Sequence, residues 1–260
     1  MHVCLEWSMP MSDGPAATMR LNKALAHAGV CARRKADELV FAGRVAVNGE
    51  VVTEPGRQVV VNTDRITVDG RPIGGSREPC CLMVHKPVRM VSTVSDPEGR
   101  PTVLELAPEA YRARRLYPVG RLDFFSEGLL LLTDDGDLAH KLAHPRHHLP
   151  KQYEVRVRGR VPEAALVAMR KGMILAEGER LAPVEAKAVP QGRDTVLHLT
   201  LHQGVNRQIR RMCRDLDVTI LRLTRTGFGP LTLAGLEPGG ARPLNDDELR
   251  LLRGAVHAAV

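Results

Sequence analysis

The sequence predicts an α+β protein in two parts, a small helix-hairpin module and a larger domain built on a mixed, largely antiparallel sheet. The chain of 260 residues is longer than one small domain needs. Two short helical patterns and a hairpin precede residue 72. Beyond residue 80, strand and helix patterns mix without strict βα alternation, which is typical of α+β domains.

The small module is predicted over residues 19–71. Apolar residues recur at helical spacing until Gly29 ends the first helix, and a second helix is predicted over residues 32–41. Short strands follow, and Asn48-Gly49 and Asp69-Gly70 are typical hairpin turns.

The charge of the chain favours a polyanionic ligand. A formal net charge of +7 and a pI near 9.5 attract nucleic acid or anionic membrane, whereas one Trp, three Tyr and four Phe are too few for serial base stacking. Within the module, a basic cluster opens the second helix, where the helix dipole is also positive, so a phosphate site is favoured over a solvated face. The candidate binding residues here are Lys23, Arg33, Arg34, Lys35 and Arg44.

The remaining boundaries follow from composition. Residues 1–18 lack the apolar segment of a secretory signal and are predicted to be a disordered tail. Pro and Gly in residues 72–80 predict a linker, which places the larger domain at residues 81–256. Five cysteines without zinc-site or disulfide spacing, and no apolar run near the roughly 18 residues that span a bilayer, indicate a cytoplasmic protein, which we expect to be a monomer.

Residues 117–133 are the most informative run of the larger domain. A strand pattern ends at Gly120, a loop presents Arg121 and Asp123, and four leucines then form a buried strand. An acid and a base on a loop between buried strands suit a rigid functional site. A surface salt bridge is the commoner explanation of such a pair.

Residues 151–158 alternate strictly, as a half-buried strand does. Lys151 opens the strand, and Tyr153 shares its apolar face. By itself Tyr153 is a core tyrosine with a polar handle. It gains functional interest if the strand end meets the loop of Asp123.

Residues 206–216 predict an amphipathic helix with one arginine face. Ile209, Met212 and Cys213 lie on the opposite, apolar face. Without a carboxylate on their own face the arginines would repel one another, so we favour a nucleic-acid contact over a solvated face, with one arginine turning inward to a carboxylate as an alternative. The candidate residues are Asn206, Arg207, Arg210, Arg211 and Arg214.

Two family resemblances combine these segments. The run RLNKALAHAGVCARRKAD at residues 20–37, with GRVAVNG at residues 43–49, resembles the RNA-binding module first described in ribosomal protein S-four. The run GRLDFFSEGLLLLT at residues 120–133, with Lys151-x-Tyr153 and GVNRQIRRM at residues 204–212, is similar to the Rsu/Rlu branch of bacterial ribosomal RNA pseudouridine synthases. LMVHKP at residues 82–87 also fits that family.

The second resemblance implies roles for the site residues. Asp123 would be the essential carboxylate, Arg210 its ion-pair partner, and Tyr153 the aromatic ring that packs on the target uracil and assists proton transfer. Arg121 and Lys151 would help to hold the loop and the RNA backbone, and Asn206, Arg207, Arg211 and Arg214 would bind substrate.

The resemblance implies isomerisation of a uridine in structured ribosomal RNA, with large-subunit RNA favoured, and it implies no cofactor and no metal. The expected partner is a stem-loop or an assembly intermediate rather than a membrane. Asp123 could act as a nucleophile on the anomeric carbon or on carbon six of the base, or remove the ribose 2′ proton. The alternatives are a non-catalytic RNA-binding assembly factor and a synthase that acts on transfer RNA.

Overall fold

The computed structural model describes residues 18–60, 63–74, 78–233 and 235–257, and the chain divides into two compact units, Met1–Glu78 and Pro79–Val260. Residues 1–17 of the predicted tail lie outside the described residues, but Thr18 belongs to a strand, so the predicted tail is one residue too long. The predicted linker also begins too early, because Pro72 is in a strand and Ile73 packs on the core of the first unit.

The smaller unit has two helices that cover short antiparallel strands. Its described elements are β1 Thr18–Arg20, α1 Leu21–His27, α2 Arg33–Phe41, β2 Val45–Val47, β3 Glu50–Val51, β4 Gln58–Val60, β5 Ile66–Val68 and β6 Arg71–Pro72. Strand β1 pairs with β4, and the other four strands form a sheet in the order β3-β2-β5-β6. Leu21 and Leu25 of α1 pack with Val40 of α2 in its core, as the helical spacing predicts.

The larger unit is built on one nine-stranded sheet in its described part. Its strands are β7 Cys81–Lys86, β8 Tyr117–Pro118, β9 Glu127–Thr133, β10 Lys151–Val157, β11 Glu185–Gln191, β12 Asp194–Leu201, β13 Ile220–Phe228, β14 Leu231–Thr232 and β15 Ala241–Pro243. The order is β11-β12-β10-β13-β9-β7-β15, with β8 on β9 and β14 on β13. Within this sheet β9 and β13 run parallel and the other pairs are antiparallel, so the predicted mixed, largely antiparallel sheet is confirmed.

Helices and short helical turns cover both faces of this sheet. They are a 3₁₀ turn Val103–Leu106, α3 Glu109–Arg112, α4 Gly136–Ala143, a 3₁₀ turn Pro145–His147, α5 Glu163–Lys171, α6 Gln208–Asp215 and α7 Asp246–His257. Leu129 and Leu131 of β9 face α4 and α7, whereas Leu130 and Leu132 face the 3₁₀ turn that begins at Val103. Because β9 is buried on both faces, it reads as a continuous apolar run rather than an alternating one.

A separate core lies under β10, β11 and β12, where α5 and α6 pack. Met169 of α5 joins Ile209, Met212 and Cys213 of α6 in it. The apolar face predicted for residues 206–216 therefore does anchor a helix to the sheet. Among the described helices, none is long and apolar enough to cross a membrane.

Candidate active site

A cavity of about 430 Å³ opens in the larger unit beside the loop that leads into β9. The loop, the first turn of α6 and the ends of β10 and β13 line it. Its polar and charged lining includes Arg121, Asp123, Ser126, Lys151, Tyr153, Arg207, Gln208, Arg210 and Arg225. The structure thus places the predicted loop, strand and helix residues around one cavity, although they are far apart in sequence.

Asp123 and Arg210 form the charged pair of this cavity. The Arg210 Nε lies 3.6 Å from the Asp123 Oδ2. Arg210 Nη2 also donates to the Phe125 carbonyl oxygen at 2.7 Å and to Ser126 Oγ at 3.1 Å. Burial lowers the pKa of the Arg210 guanidinium, and the adjacent Asp123 carboxylate opposes that shift. Arg210 is the arginine that turns inward to a carboxylate, one of the two arrangements that the helix pattern left open.

Lys86, the last residue of β7, binds the loop of Asp123 through hydrogen bonds to backbone carbonyl oxygens. Its side chain is fully buried, and its Nζ donates to the carbonyl oxygens of Pro87 at 2.9 Å, Asp123 at 3.1 Å and Ser126 at 2.7 Å. Burial lowers the pKa of Lys86 to about 8, while the negative charges of Asp123 and Glu127 act in the opposite direction. Lys86 was part of a recognised motif, but the sequence offered no sign that it supports this loop.

Ser92 holds the same loop at Leu122. The Ser92 Oγ donates to the Leu122 carbonyl oxygen at 3.0 Å and accepts from the Leu122 backbone N–H at 3.1 Å. Both peptide groups of Leu122 are thereby satisfied in a buried position, which removes the cost of leaving them unpaired. The Asp123 carboxylate is therefore presented by a loop fixed on both sides.

Strand β10 supplies Tyr153 and Lys151, as predicted. It lies between β12 and β13, with Tyr153 opposite Leu199 on one side and Arg225 on the other. The Tyr153 ring is half-buried and lines the cavity. Lys151 donates to the Leu149 carbonyl oxygen at 3.1 Å, and burial together with the Arg225 charge lowers its pKa.

Arg225 is a cavity residue that the sequence patterns did not reveal. It is 4% exposed, its Nε donates to the Leu129 carbonyl oxygen at 2.7 Å, and its guanidinium lies 5.4 Å from the Phe228 ring centroid. The available signal was one arginine on the buried face of a strand, since a buried guanidinium needs specific partners.

The helix α6 begins two residues later than predicted. Arg207 stands before it with a left-handed backbone (φ 49°), so it lines the cavity from a loop rather than from the helix face. The predicted place of Arg207 on the helix face is wrong. The spacing of the arginines does not reveal the left-handed residue that puts Arg207 before the helix.

The outer arginines of α6 have carboxylate partners in the larger unit. Arg211 pairs with Glu179 at 2.6 Å and with Glu177 at 3.4 Å, and Arg214 pairs with Glu177 at 2.6 Å and with Asp215 at 2.7 Å. The anionic groups that face these arginines in the structure are thus carboxylates, two of them from a loop about 30 residues away, and the predicted nucleic-acid contact stays a prediction. Asn206, Arg211 and Arg214 line a second groove outside the cavity.

In the smaller unit, the basic residues at the start of α2 differ in their partners. Arg33 and Arg34 are exposed, whereas Lys35 pairs with Glu38 at 2.6 Å. Arg44 makes two hydrogen bonds to Asp69, at 2.8 and 2.5 Å. Lys23 lies half-buried in α1. Arg33 and Arg34 are thus open to solvent at the start of α2, where a phosphate could reach them.

The arrangement suits acid–base or nucleophilic chemistry on a buried base. Asp123 offers a carboxylate, Arg210 offers a compensating charge, and Tyr153 offers a flat apolar surface with a hydroxyl. Among the side chains that the structure describes, no group of three or more His, Cys, Asp or Glu residues is arranged to hold a metal ion.

Comparisons with known proteins agree with this geometry. A profile described as RNA pseudouridylate synthase matches residues 81–215, and an S4 domain profile matches residues 19–66. The chain is 40% identical over 237 residues to the Ribosomal large subunit pseudouridine synthase B of Bacillus subtilis, which covers 90% of this chain and 95% of that protein. It is 37% identical over 242 residues to the Salmonella typhi protein of the same name, over 91% of this chain and 83% of that protein.

Among solved structures, one described as a crystal structure of pseudouridylate synthase superposes with a TM-score of 0.62. Sequence identity to it is 30%, and the match covers 90% of this chain and 99% of that chain.

Proposed function

The chain belongs to the RNA pseudouridylate synthase family, and we propose that it converts a uridine of large-subunit ribosomal RNA to pseudouridine. The proposed substrate rests on the 40% identity to a Bacillus protein named for that RNA, which extends over nearly the whole length of both chains. The S4 domain that precedes the catalytic unit supports a structured RNA as partner.

Asp123 is the essential carboxylate in this proposal. The reaction breaks the bond between the anomeric carbon and N1 of the base, turns the base over, and joins the anomeric carbon to carbon five. The carbon-five proton leaves, N1 gains a proton, and no group or electron is transferred to another molecule. Asp123 begins this sequence as a nucleophile on the anomeric carbon or on carbon six, or as the base that removes the ribose 2′ proton.

Arg210 keeps Asp123 ionised when the base enters and water leaves. An opposite charge at 3.6 Å offsets the desolvation that would otherwise favour the neutral acid. Because the same guanidinium also binds the Phe125 carbonyl and Ser126 Oγ, it fixes the carboxylate as well as neutralising it.

Tyr153 packs on the uracil and assists proton transfer, since its ring lies at the cavity wall on a strand paired along both edges. A cavity of about 430 Å³ accommodates a single base, so the target uridine must be unstacked or flipped to enter. Arg121, Lys151 and Arg207 line the same cavity and bind the backbone around that uridine.

Asn206, Arg211 and Arg214 contact RNA farther from the reacting base. Their groove lies outside the cavity, and RNA phosphates would have to compete there with Glu177 and Glu179 for the arginines. Their contribution to binding is therefore smaller than that of the cavity residues.

The test is tritium release from RNA labelled at carbon five of uracil, with large-subunit, small-subunit and transfer RNA as separate substrates. We expect wild type to release label from large-subunit RNA, and Asp123→Asn to lose at least about 100-fold in rate, the scale of a missing acid–base group. Asp194→Asn, at the end of β12 opposite the cavity-lining Leu201, is the matched control.

Release of label from transfer RNA alone would overturn the proposed substrate. No release from any RNA would overturn the proposed activity of this chain. Equal rates for wild type and Asp123→Asn would overturn the role of the carboxylate.

A further inference from the structure

Phe125 is an exposed aromatic ring beside the catalytic carboxylate. It lies two residues after Asp123, and 61% of the residue is open to solvent. Phe124 is half-buried and meets the Phe125 ring edge-on, with centroids 5.0 Å apart and planes at 82°. Phe125 does not line the cavity, so its ring stands on the solvent side of the loop.

The backbone of Phe125 is tied to the same groups that hold Asp123. Its carbonyl oxygen accepts from Arg210 at 2.7 Å, and the carbonyls of Asp123 and Ser126 on either side accept from Lys86. The Phe124 carbonyl oxygen accepts from the Arg89 backbone N–H at 2.6 Å. The backbone that carries the ring is therefore held beside the reacting carboxylate.

Folding alone gives little reason for a phenylalanine at this position. A ring that is mostly exposed contributes little burial, and a surface turn accepts small polar residues more readily. Of the four phenylalanines, Phe41 is also exposed, but only Phe125 lies on the loop of Asp123 with its ring open to solvent.

The position matches that of a nucleotide next to the target. Two residues of extended chain span about 7 Å, so Phe125 lies within that reach of Asp123. When the target base is in the cavity, its covalent neighbours must remain close outside it. Arg121 is exposed on the same loop, and Arg89 is exposed on the neighbouring loop whose backbone binds Phe124, so both supply positive charge for the phosphates.

We propose that Phe125 is a stacking platform for an RNA base adjacent to the target uridine. The proposal rests on the proposed function, because it needs RNA with its target base in the cavity. Stacking on an aromatic ring accepts any base, so Phe125 stabilises the opened conformation of the strand without reading its sequence.

The experiment compares Phe125→Ala and Phe125→Trp in binding to a stem-loop fragment of large-subunit ribosomal RNA that contains the target uridine. Loss of one stacked base corresponds to about 5- to 150-fold weaker binding, which we expect for alanine in Kd and in KM, whereas tryptophan retains binding. Leu251→Ala, at a similarly exposed apolar residue on α7, is the control and should bind as wild type does.

The second arm uses the same RNA with an abasic site on one side of the target or on the other. At the stacked position the abasic RNA should bind wild type and Phe125→Ala equally well. The proposal is overturned if alanine binds intact RNA as tightly as wild type, or if the alanine defect persists with both abasic RNAs. Because Kd is read from binding and not from tritium release, absence of release would count against the proposed function and leave the Kd comparison intact.

Discussion

Lys86 shows how a single buried residue supports the catalytic loop. An ammonium group that is fully removed from water is costly unless it is hydrogen-bonded, and here three carbonyl oxygens accept its three protons. Two of those carbonyls belong to Asp123 and Ser126, so removal of the Lys86 Nζ would release the turn that carries the carboxylate. The lowered pKa, about 8, reports the remaining desolvation.

The Lys86 ammonium gives a pH dependence of stability with a definite sign. The folded protein releases this proton at about pH 8, whereas an unfolded chain holds it until about pH 10.4. Between those values the unfolded chain binds more protons, so the free energy of unfolding contributed by Lys86 rises with pH, by up to about 3 kcal/mol. Lys86→Met should lack this rise.

Urea unfolding across that pH window checks the Lys86 prediction. Far-ultraviolet circular dichroism is a suitable signal, because tyrosine has an ordinary pKa of about 10 and its fluorescence would change within this pH window without unfolding. The exposed Lys187→Met serves as the control and should follow wild type. If the free energies of unfolding of wild type and Lys86→Met change in parallel with pH, the buried Lys86 does not titrate in this pH window.

At the scale of elements, the parallel pair β9–β13 joins the two halves of the catalytic sheet. Gly128 sits opposite Arg225 in that pair, with φ +113°, and a Cβ there would stand 2.2 Å from the Arg225 carbonyl oxygen. Only glycine allows this approach. The close pairing sets Arg225 against the Leu129 carbonyl and holds its guanidinium at the cavity wall.

Gly128→Ala should therefore destabilise the larger unit more than an ordinary glycine substitution. Left-handed backbone strain costs about 1–2 kcal/mol, and displacement of the neighbouring strand adds about 1–3 kcal/mol. Gly159→Ala is the matched control, because φ is +74° and nothing lies within 4 Å of its Cβ. Equal losses for the two variants in urea unfolding would show that β13 shifts at little cost.

The sequence predicts most elements, because these depend on local patterns, whereas the roles of Asp123, Tyr153 and Arg210 come from the family resemblance and stay predictions. Residues 206–216 show the limit. Their apolar spacing predicts the buried face of α6 correctly, yet the left-handed turn at Arg207 and the pairing of Arg211 with Glu179 depend on contacts that spacing cannot express. Lys86 was missed for the same reason, since it meets Ser126 only after 40 residues of intervening chain have folded.

For the whole molecule, the arginines of the two units differ in their surroundings. In the larger unit, Arg210 and Arg211 have carboxylate partners. In the smaller unit, Arg33 and Arg34 are exposed at the start of α2, where the backbone N–H groups also point outward. We therefore expect the larger unit to perform the reaction and the smaller unit to contribute part of the RNA-binding energy, so that mutations can affect one without the other.

Reversing both charges with Arg33→Glu and Arg34→Glu should weaken binding to large-subunit RNA and flatten its salt dependence. Each lost phosphate contact lowers the slope of log K against log salt by about 0.7–0.9, so two contacts remove about 1.4–1.8. Filter binding over a salt series measures the slope. Arg250→Glu with Arg253→Glu on α7 makes the same change in net charge and should leave the slope near that of wild type. If both double variants shift the slope equally, the effect is one of net charge and α2 holds no phosphate site.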